Sequence, residues 1–407
     1  MQQLGLSHHL THKANLNQTR YGWLRLTPAY SVNLVKDILG STLSRDSLVL
    51  DPFCGTGTTA LVCAEKGVLA DTVDINPFLL WLTKTKAQSY NNRDLNDFKS
   101  ASEKLAEIIT TWITDEIWTP PIHQIEKWWD QDILHILGQV MHAIRNMEGL
   151  YSSKTLDLLK VAFCRVMIVH SSASFNHQSM SFKKQYNYSI LGARDDLYIT
   201  WKATIDNIYS AAKTKILQSP RVFLCDARQL STLLPHNYYT CVITSPPYPN
   251  RMSYIRELRP YMYWLGYLND GREAGELDWK AIGGTWGIAT SKVGKWTPPV
   301  NRPIPYPEFS EILEKIAQRS DLLSRYVHKY FFDMIDHLNE LFIVTRSGAT
   351  INYIVGNSKF YDVLLPVEEI FAALFEASGF VEIKIKPLRK RTSKKELYEY
   401  IVSATKP

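Results

Sequence analysis

Residues 242–251, Val-Ile-Thr-Ser-Pro-Pro-Tyr-Pro-Asn-Arg, place a serine, three prolines and a tyrosine directly after a short apolar run. Proline fixes φ and has no N–H, so these residues predict a strand that ends in a stiff turn. Such a turn holds its backbone carbonyls in fixed directions, next to a hydroxyl and a flat aromatic ring. The turn therefore raises the question of what chemistry Ser245, Pro246, Pro247 and Tyr248 would serve.

A glycine-containing segment earlier in the chain has the pattern of a ligand-binding turn. Residues 49–60 read Val-Leu-Asp-Pro-Phe-Cys-Gly-Thr-Gly-Thr-Thr-Ala, which predicts a strand, a turn at Gly55 and Gly57, and a helix starting at Thr58 and Thr59. Glycines let the backbone approach a ligand closely, and a helix N-terminus offers free N–H groups. No Gly-Lys-Ser/Thr follows, which disfavours nucleoside triphosphate hydrolysis, and Ala60 departs from the full dinucleotide pattern. A purely structural tight turn is the alternative.

Two aspartates stand at the ends of further predicted strands. Asp74 ends the strand predicted within residues 70–77, and Asp226 ends the strand predicted within residues 221–227. An acidic side chain at such a strand end can accept hydrogen bonds from the ribose hydroxyls of a nucleoside, and Asp226 could accept from an adenine amino group. Each aspartate could instead cap a helix. Together with the glycine turn, they favour a nucleoside-binding edge.

The elements that must position these residues predict an α/β fold. Residues 47–77 form a strand–turn–helix–strand unit, which implies a parallel sheet. Residues 91–219 carry helical periodicity and interrupt the sheet as a helical insertion. The chain closes with two strands joined by a basic run, which makes the last strand antiparallel. We divide the chain into core segments 1–90, 220–269 and 331–407, the helical insertion 91–219 and an irregular, basic insertion 270–330.

The composition favours a globular protein that binds no metal through cysteines. The five cysteines are scattered, and no apolar run approaches the about 18–20 residues of a membrane-spanning helix. The N-terminus lacks the apolar stretch of a signal peptide, so we expect a cytoplasmic protein. Seven basic residues and no acidic one lie between Lys384 and Lys395, which leaves the rest of the chain at −1 out of a total of +6. That run is either a solvated loop or a phosphate contact.

The combination of "DPFCGTGTTA" and "SPPY" resembles the amino-methyltransferases that modify exocyclic amino groups of DNA bases with S-adenosylmethionine. The resemblance covers roughly residues 20–90, 220–268 and 340–405. It implies a class I methyltransferase, Rossmann-like sheet of seven strands, mainly parallel with an antiparallel last strand. This agrees with the closing hairpin inferred from the residues themselves.

The resemblance also implies roles for individual residues. Asp51, Phe53, Gly55 and Gly57, with Thr58 and Thr59 at the helix start, would line the methionine and ribose part of the cofactor. Asp74 would hold the ribose, and Asp226 with Ala227 the adenine. Thr27 and Pro28, in the segment 21–30, are weaker candidates for cofactor contact.

The resemblance makes Ser245, Pro246, Pro247 and Tyr248 the catalytic motif. In it, the Ser245 hydroxyl and the carbonyl of Ser245 or Pro246 would accept the two hydrogens of the target amino group. Tyr248 would stack on a base that has left the duplex. We expect no metal in this reaction.

One departure from the family concerns the order of the motifs. The wording "DPFCGTGTT" is commonest in relatives whose catalytic motif comes first, whereas here the cofactor motif comes first. The insertions 91–219 and 270–330 both compete as the region that reads DNA sequence. We expect 270–308 and 177–185 to share that role, with the basic run 384–395 touching the DNA backbone.

Within the family that the chain resembles, serine before Pro-Pro is more often found in enzymes that act on N4 of cytosine. The resemblance therefore favours cytosine N4 as the methylated atom, and N6 of adenine is the alternative. Two further hypotheses about the function are an RNA guanosine methyltransferase and a non-catalytic DNA-binding scaffold. The expected partner is double-stranded DNA, with no membrane. The resemblance also suggests a bacterial, nucleoid-associated setting and a cognate restriction endonuclease.

Overall fold

The computed structural model describes residues 15, 20–24, 26, 29–42, 47–111, 115–174, 181–182, 190–299, 302–391 and 396–407. One sheet of seven strands organises this part of the chain. The strands are β1 (Leu48–Asp51), β2 (Leu69–Asp74), β3 (Arg221–Leu224), β4 (Tyr239–Thr244), β5 (Thr345–Gly356), β6 (Val381–Lys390) and β7 (Tyr398–Thr405).

The spatial order of the strands is β6-β7-β5-β4-β1-β2-β3. Neighbouring strands are parallel except at β7, which is antiparallel to both β5 and β6. The predicted α/β class, the seven strands and the antiparallel last strand are therefore confirmed. Parallel strands leave all of their carboxyl ends on one edge, and this edge carries the candidate site.

Thirteen α-helices lie in the described ranges. They are α1 (Val32–Thr42), α2 (Thr58–Lys66), α3 (Pro77–Lys86), α4 (Asn92–Thr110), α5 (Gln131–Asn146), α6 (Ser153–Val169), α7 (Ile190–Ala212), α8 (Tyr254–Trp264), α9 (Gly271–Lys280), α10 (Ile288–Lys295), α11 (Phe309–Ala317), α12 (Asp321–Val344) and α13 (Val367–Ala377). Helix α2 ends at Lys66, and Gly67 forms its C-cap with a left-handed φ of 71°.

The two faces of the sheet bury different side chains because neighbouring residues of a strand point in opposite directions. In β4, Ile243 packs with Val35 and Leu61 on the face covered by α1 and α2. Val242 packs on the other face, in the cluster that α12 and α13 build around Phe371. This three-layer arrangement explains why the predicted central strands are nearly continuous apolar runs.

The predicted helical insertion contains α4 to α7, which form a separate core with α3 and α8. Its largest buried side chains include Trp129, Trp201 and Trp264. Within this insertion, the segment 177–185 that we expected to reach DNA lies outside the described residues except for 181–182.

The expectation of an irregular, basic insertion at 270–330 is wrong. Helices α9, α10 and α11 occupy much of it, and its nine lysines and arginines stand against eight aspartates and glutamates. Helices of eight to ten residues span too few turns to show clear periodicity. The loop between α9 and α10 is held by buried Asp278, whose carboxylate accepts hydrogen bonds from Ser253 Oγ and from the Trp286 N–H.

Candidate active site

The two predicted motifs meet at the carboxyl edge of the sheet. β1 ends at Asp51 and lies between β2, which ends at Asp74, and β4, which ends at Thr244 just before Ser245. A side-chain hydrogen bond joins the motifs directly, because Thr244 Oγ1 donates to Asp51 Oδ1 over 2.6 Å. The glycine turn and the Ser-Pro-Pro-Tyr turn thus form one site.

The glycine turn is shaped by close packing. Gly57 is the N-cap of α2 with φ 76° and ψ 30°, in the left-handed region. A Cβ atom at this position would collide with the side chain of Thr83. Lys86 supports the turn from below, since its buried Nζ donates to the Thr56 carbonyl over 3.1 Å. Position 57 therefore requires glycine, because the left-handed backbone and the nearby Thr83 leave no room for a side chain.

Asp51 is a buried carboxylate with three donors around it. Besides Thr244, the backbone N–H of Phe53 donates to it over 3.2 Å, and the Tyr30 hydroxyl donates over 3.1 Å. Burial raises the pKa of Asp51 to about 7, and the hydrogen bonds oppose that rise. A cationic group placed beside it would stabilise the ionised form.

Asp74 ties the second strand end to the glycine turn. Its two carboxylate oxygens accept from the Gly55 N–H over 3.0 Å and from the Asn76 N–H over 2.8 Å. Burial raises the pKa of Asp74 to about 6, despite these backbone donors. Asp74 is half-buried, so part of its surface remains accessible.

The N-terminal segment contributes a residue that sequence reasoning missed. Tyr30 contacts Asp51, and its hydroxyl also hydrogen-bonds to Thr59 Oγ1. Its only sequence signal was its place at the end of the segment 21–30. Thr27 and Pro28, the candidates taken from that segment, lie outside the described residues.

Arg20 anchors the start of the same segment. It is fully buried, and its guanidinium donates to five backbone carbonyls, those of Lys86, Gln88, Ala211, Ala212 and Thr214. These acceptors lie at the ends of α3 and α7. Arg20 therefore fixes the start of this segment to the ends of two helices.

The carboxylate of Asp226 already has a partner in the chain. It caps the short 3₁₀ helix Ala227–Thr232 through the Arg228 N–H, and both of its oxygens accept from the Arg228 guanidinium. Burial would raise the pKa of Asp226, but the hydrogen bonds and charge of Arg228 outweigh it and hold the pKa below its usual range. Asp226 is thus both a capping residue and half of an ion pair, which Asp333 extends.

His337 is a second residue that the sequence did not reveal. It is fully buried on α12, where Nδ1 contacts the Ala227 carbonyl at 2.8 Å and Nε2 contacts the Tyr353 hydroxyl at 2.5 Å. Its ring also meets Phe53 edge-on, with 4.7 Å between centroids. Burial lowers the pKa of His337 to about 4, so the ring is neutral and supports Phe53 and Ala227.

Side chains of other elements hold the turn Ser245–Tyr248, the candidate catalytic turn. Ser245 Oγ donates to the Ile354 carbonyl of β5 over 3.0 Å. The Tyr330 hydroxyl of α12 donates to the Pro247 carbonyl over 2.7 Å. Because the serine proton is engaged with Ile354, the lone pairs of Ser245 Oγ remain available as acceptors.

Tyr248 is fixed by the hairpin of β6 and β7. Its hydroxyl donates to Glu399 Oε1 over 3.2 Å, and the other oxygen of Glu399 accepts from Arg389 Nε over 2.8 Å. The Arg391 guanidinium lies over the ring and donates to the Asn357 carbonyl. Burial is the main cause that raises the pKa of Tyr248 well above its usual value, so the phenol is protonated.

Two further findings concern the described part of the chain. It contains no cluster of His, Cys, Asp or Glu side chains that could hold a metal ion. Among the described helices, none combines the length and the apolar character that a membrane span requires.

The seven-stranded sheet and its paired motifs define a class I methyltransferase fold. The model of the DNA methylase family N6_N4_Mtase matches residues 9–77. The Type II methyltransferase M.BsoBI of Geobacillus stearothermophilus is 22% identical over 94% of this chain and 82% of its own. M.AvaI of Nostoc sp. is 21% identical over 95% of this chain and 84% of its own.

M.MjaII of Methanocaldococcus jannaschii is 34% identical over 15% of this chain and 12% of its own. Among solved structures, the rRNA methyltransferase aviRa of Streptomyces viridochromogenes aligns with 97% of this chain over 96% of its own length. The identity is 11% and the TM-score is 0.26. The chain is therefore similar to DNA amino-methyltransferases of the N4/N6 family.

Proposed function

We propose that this protein transfers the methyl group of S-adenosylmethionine to N4 of a cytosine that has been extruded from duplex DNA. The hydrogen bond from Thr244 to Asp51 carries the proposal, because it holds the turn that would bind the amino group against the turn that would bind the methyl donor. A methyl transfer needs this juxtaposition, since alignment of nitrogen and methyl carbon supplies much of the rate.

The residues at the edge suit a nucleoside with a positively charged sulfonium group. The glycine turn has no side chains that would keep a ligand away from its backbone. The carboxylate of Asp51 would face the cationic methionine part of the ligand, and that of Asp74 its ribose hydroxyls. Neutral His337 would keep Phe53 and Ala227 in place beside the adenine. When bound, S-adenosylmethionine supplies an electrophilic methyl group.

The role of Asp226 in binding adenine can be proposed more specifically from its hydrogen bonds to Arg228. Since Arg228 engages both of its oxygens, we propose that an adenine amino group would share Asp226 with Arg228. A carboxylate offers about four lone-pair sites, so it can accept from both partners.

The catalytic turn suits an amino group attached to an aromatic base. The lone pair of such a nitrogen is delocalised into the ring, so the nitrogen becomes nucleophilic only when its hydrogens are drawn out of the base plane. The Ser245 hydroxyl and the carbonyl of Ser245 or Pro246 would accept these two hydrogens. The lone pair of the nitrogen would form the new C–N bond as the methyl–sulfur bond breaks and its electron pair stays on sulfur, and one amino proton would pass to solvent water.

Tyr248 would support the extruded base by stacking. Removing a base from the duplex costs about a few kcal/mol, and base–aromatic stacking returns about 1–3 kcal/mol. The ring is fixed by Glu399 before any base arrives, so little conformational freedom is lost on stacking.

Cytosine is proposed over adenine on the resemblance of the "SPPY" motif alone. Adenine N6 is the second candidate, because its amino group is attached to a ring in the same way. The Type II methyltransferase names of the relatives further support a bacterial modification enzyme that acts beside a cognate endonuclease in the cytoplasm.

One experiment separates these readings. DNA from a host that expresses the protein is digested, and its methylated nucleosides are identified by mass spectrometry. N4-methylcytosine supports the proposal, whereas N6-methyladenine contradicts the choice of base. Single-molecule sequencing of the same DNA reports the recognition sequence.

Two controls test the class of substrate and the site. Methylated RNA with unmodified DNA would overturn the DNA assignment, and failure to bind S-adenosylmethionine in calorimetry would favour a scaffold. The Ser245→Ala variant should bind the cofactor as the wild type does and lose methyl transfer.

A further inference from the structure

Two buried tyrosines on α12 hydrogen-bond to the backbone of the catalytic turn and of the residues just after it. The Tyr330 hydroxyl donates to the Pro247 carbonyl over 2.7 Å, and the Tyr326 hydroxyl accepts from the Arg251 N–H over 3.4 Å. Both side chains are only 2% exposed. They lie four residues apart, so they project from the same face of the helix.

The turn depends on such outside contacts because of its prolines. Pro246 and Pro247 have no N–H, so neither can donate a hydrogen bond that would fix the turn from within. The nearby Tyr248 N–H finds only a long contact of 3.5 Å to the Tyr254 hydroxyl. The Tyr330 bond, at 2.7 Å, is at least as short as the 2.8 Å bond from the Asn250 N–H to the Tyr248 carbonyl.

We propose that Tyr330 is a positioning residue for methyl transfer: its hydrogen bond to Pro247 sets the direction of the acceptors at Ser245 and Pro246. Rotation of the Pro247 peptide would swing the preceding carbonyls, because the two proline rings transmit the movement stiffly. The inference rests on the proposed function, since it assumes that those acceptors meet the target amino group.

The same helix also reaches the adenine side of the site. Asp333 accepts from Arg228, the partner of Asp226, and His337 contacts the Ala227 carbonyl. Positions 326, 330, 333 and 337 are spaced by four, three and four residues, which is one face of a helix. A single rigid element therefore sets the distance between the adenine pocket and the acceptor turn.

The chemistry of Tyr330 suits a fixed donor. Burial is the main cause that raises the pKa of Tyr330 well above its usual value, and neighbouring tyrosines add to it. The phenol stays protonated through the pH range in which the enzyme would work. It therefore donates to Pro247 without a pH-dependent change.

The test is the Tyr330→Phe variant, which removes the hydroxyl and keeps the ring. Its matched control is Tyr239→Phe at the opposite end of β4, where a buried hydroxyl donates to Asp71 away from the turn. Both variants lose one buried hydrogen bond, so both lose thermal stability. Only Tyr330→Phe should lower the single-turnover rate of methyl transfer, by about 10- to 100-fold.

Binding measurements complete the test. For Tyr330→Phe, the Kd of S-adenosylmethionine by calorimetry and the Kd of duplex DNA should stay within about twofold of the wild type, because the bond acts on alignment. A Tyr330→Phe rate within twofold of the Tyr239→Phe rate overturns the inference. A rate loss matched by an equal loss of DNA affinity overturns it as well. Absence of transfer by the wild-type protein would instead contradict the proposed function.

Discussion

The Arg391 guanidinium lies over the ring of Tyr248, with its central carbon 5.2 Å from the ring centroid. Arg391 directly follows β6, and Tyr248 ends the catalytic motif at the carboxyl end of β4. Glu399 of β7 adds a second link through the tyrosine hydroxyl. The hairpin at the edge of the sheet therefore holds the aromatic ring on which the target base would stack.

The ring and the hydroxyl of Tyr248 should contribute separately. Tyr248→Ala removes the stacking surface and should weaken productive binding of target DNA by about 1–3 kcal/mol. Tyr248→Phe keeps the surface and loses only the bond to Glu399, so its loss should be smaller. Methylation rates of both variants at subsaturating DNA measure this; equal losses would contradict the stacking role.

A side chain at Gly356 should disturb the contact between Arg391 and Tyr248. A Cβ at this position would lie 2.8 Å from Arg391 Nη1, the end of a flexible side chain that can move away, and 3.0 Å from Tyr248 Cε2, so the ring would have to shift slightly. Gly356→Ala should therefore lower methyl transfer by about two- to tenfold. Gly40→Ala in α1 is the control, because nothing lies within 4 Å of its added Cβ. Similar rates for both variants would disprove the crowding argument.

Cofactor affinity should fall in acid. The pKa of Asp51 is raised to about 7 and that of Asp74 to about 6 by burial, so both carboxylates lose their charge as pH falls through that range. Below pH 6, each pH unit should weaken the binding of cationic S-adenosylmethionine by up to about tenfold per carboxylate. Calorimetric titrations from pH 5.5 to 8.5 measure this; a flat profile would contradict it.

The stability of the free protein should show the opposite trend. Folding raises both pKa values above those of the unfolded chain, so the folded state binds protons more tightly. These two groups therefore stabilise the fold at low pH, and that contribution is lost as pH rises through about 6 to 7. Thermal stabilisation by S-adenosylmethionine should consequently be larger at pH 8 than at pH 5.5, as scanning fluorimetry would show.

The basic run should divide into a DNA-facing end and a distant end. Lys390 lies at the carboxyl end of β6, near the site, whereas Lys384 lies six residues earlier, about 20 Å away along the strand. Lys390→Glu should weaken DNA binding and flatten its dependence on salt concentration, since one phosphate contact is lost. Lys384→Glu should change the slope less. Filter binding across salt concentrations separates the two, and unchanged slopes in both variants would remove the run from the DNA interface.

Much of this protein could be predicted from its sequence because the information is local. The βαβ unit, the helical insertion and the closing hairpin follow from patterns of apolar residues, glycines and prolines over short windows. Asp51, Asp74 and Ser245 were placed together because parallel strands end on a common edge. The short helices of 270–330 were missed because eight to ten residues give too little periodicity.

Only the tertiary structure revealed the residues that hold the site. Tyr30, Tyr330 and His337 are ordinary residues in their own segments, and their partners lie far away in the chain, as does Asp333, the second partner of Arg228. The basic run looked like a uniform charge patch, but Arg389 and Arg391 are engaged with Glu399 and Tyr248. Local sequence determined which groups could do the chemistry. Long-range packing decided which side chains orient them, because such contacts leave no periodic trace in the chain.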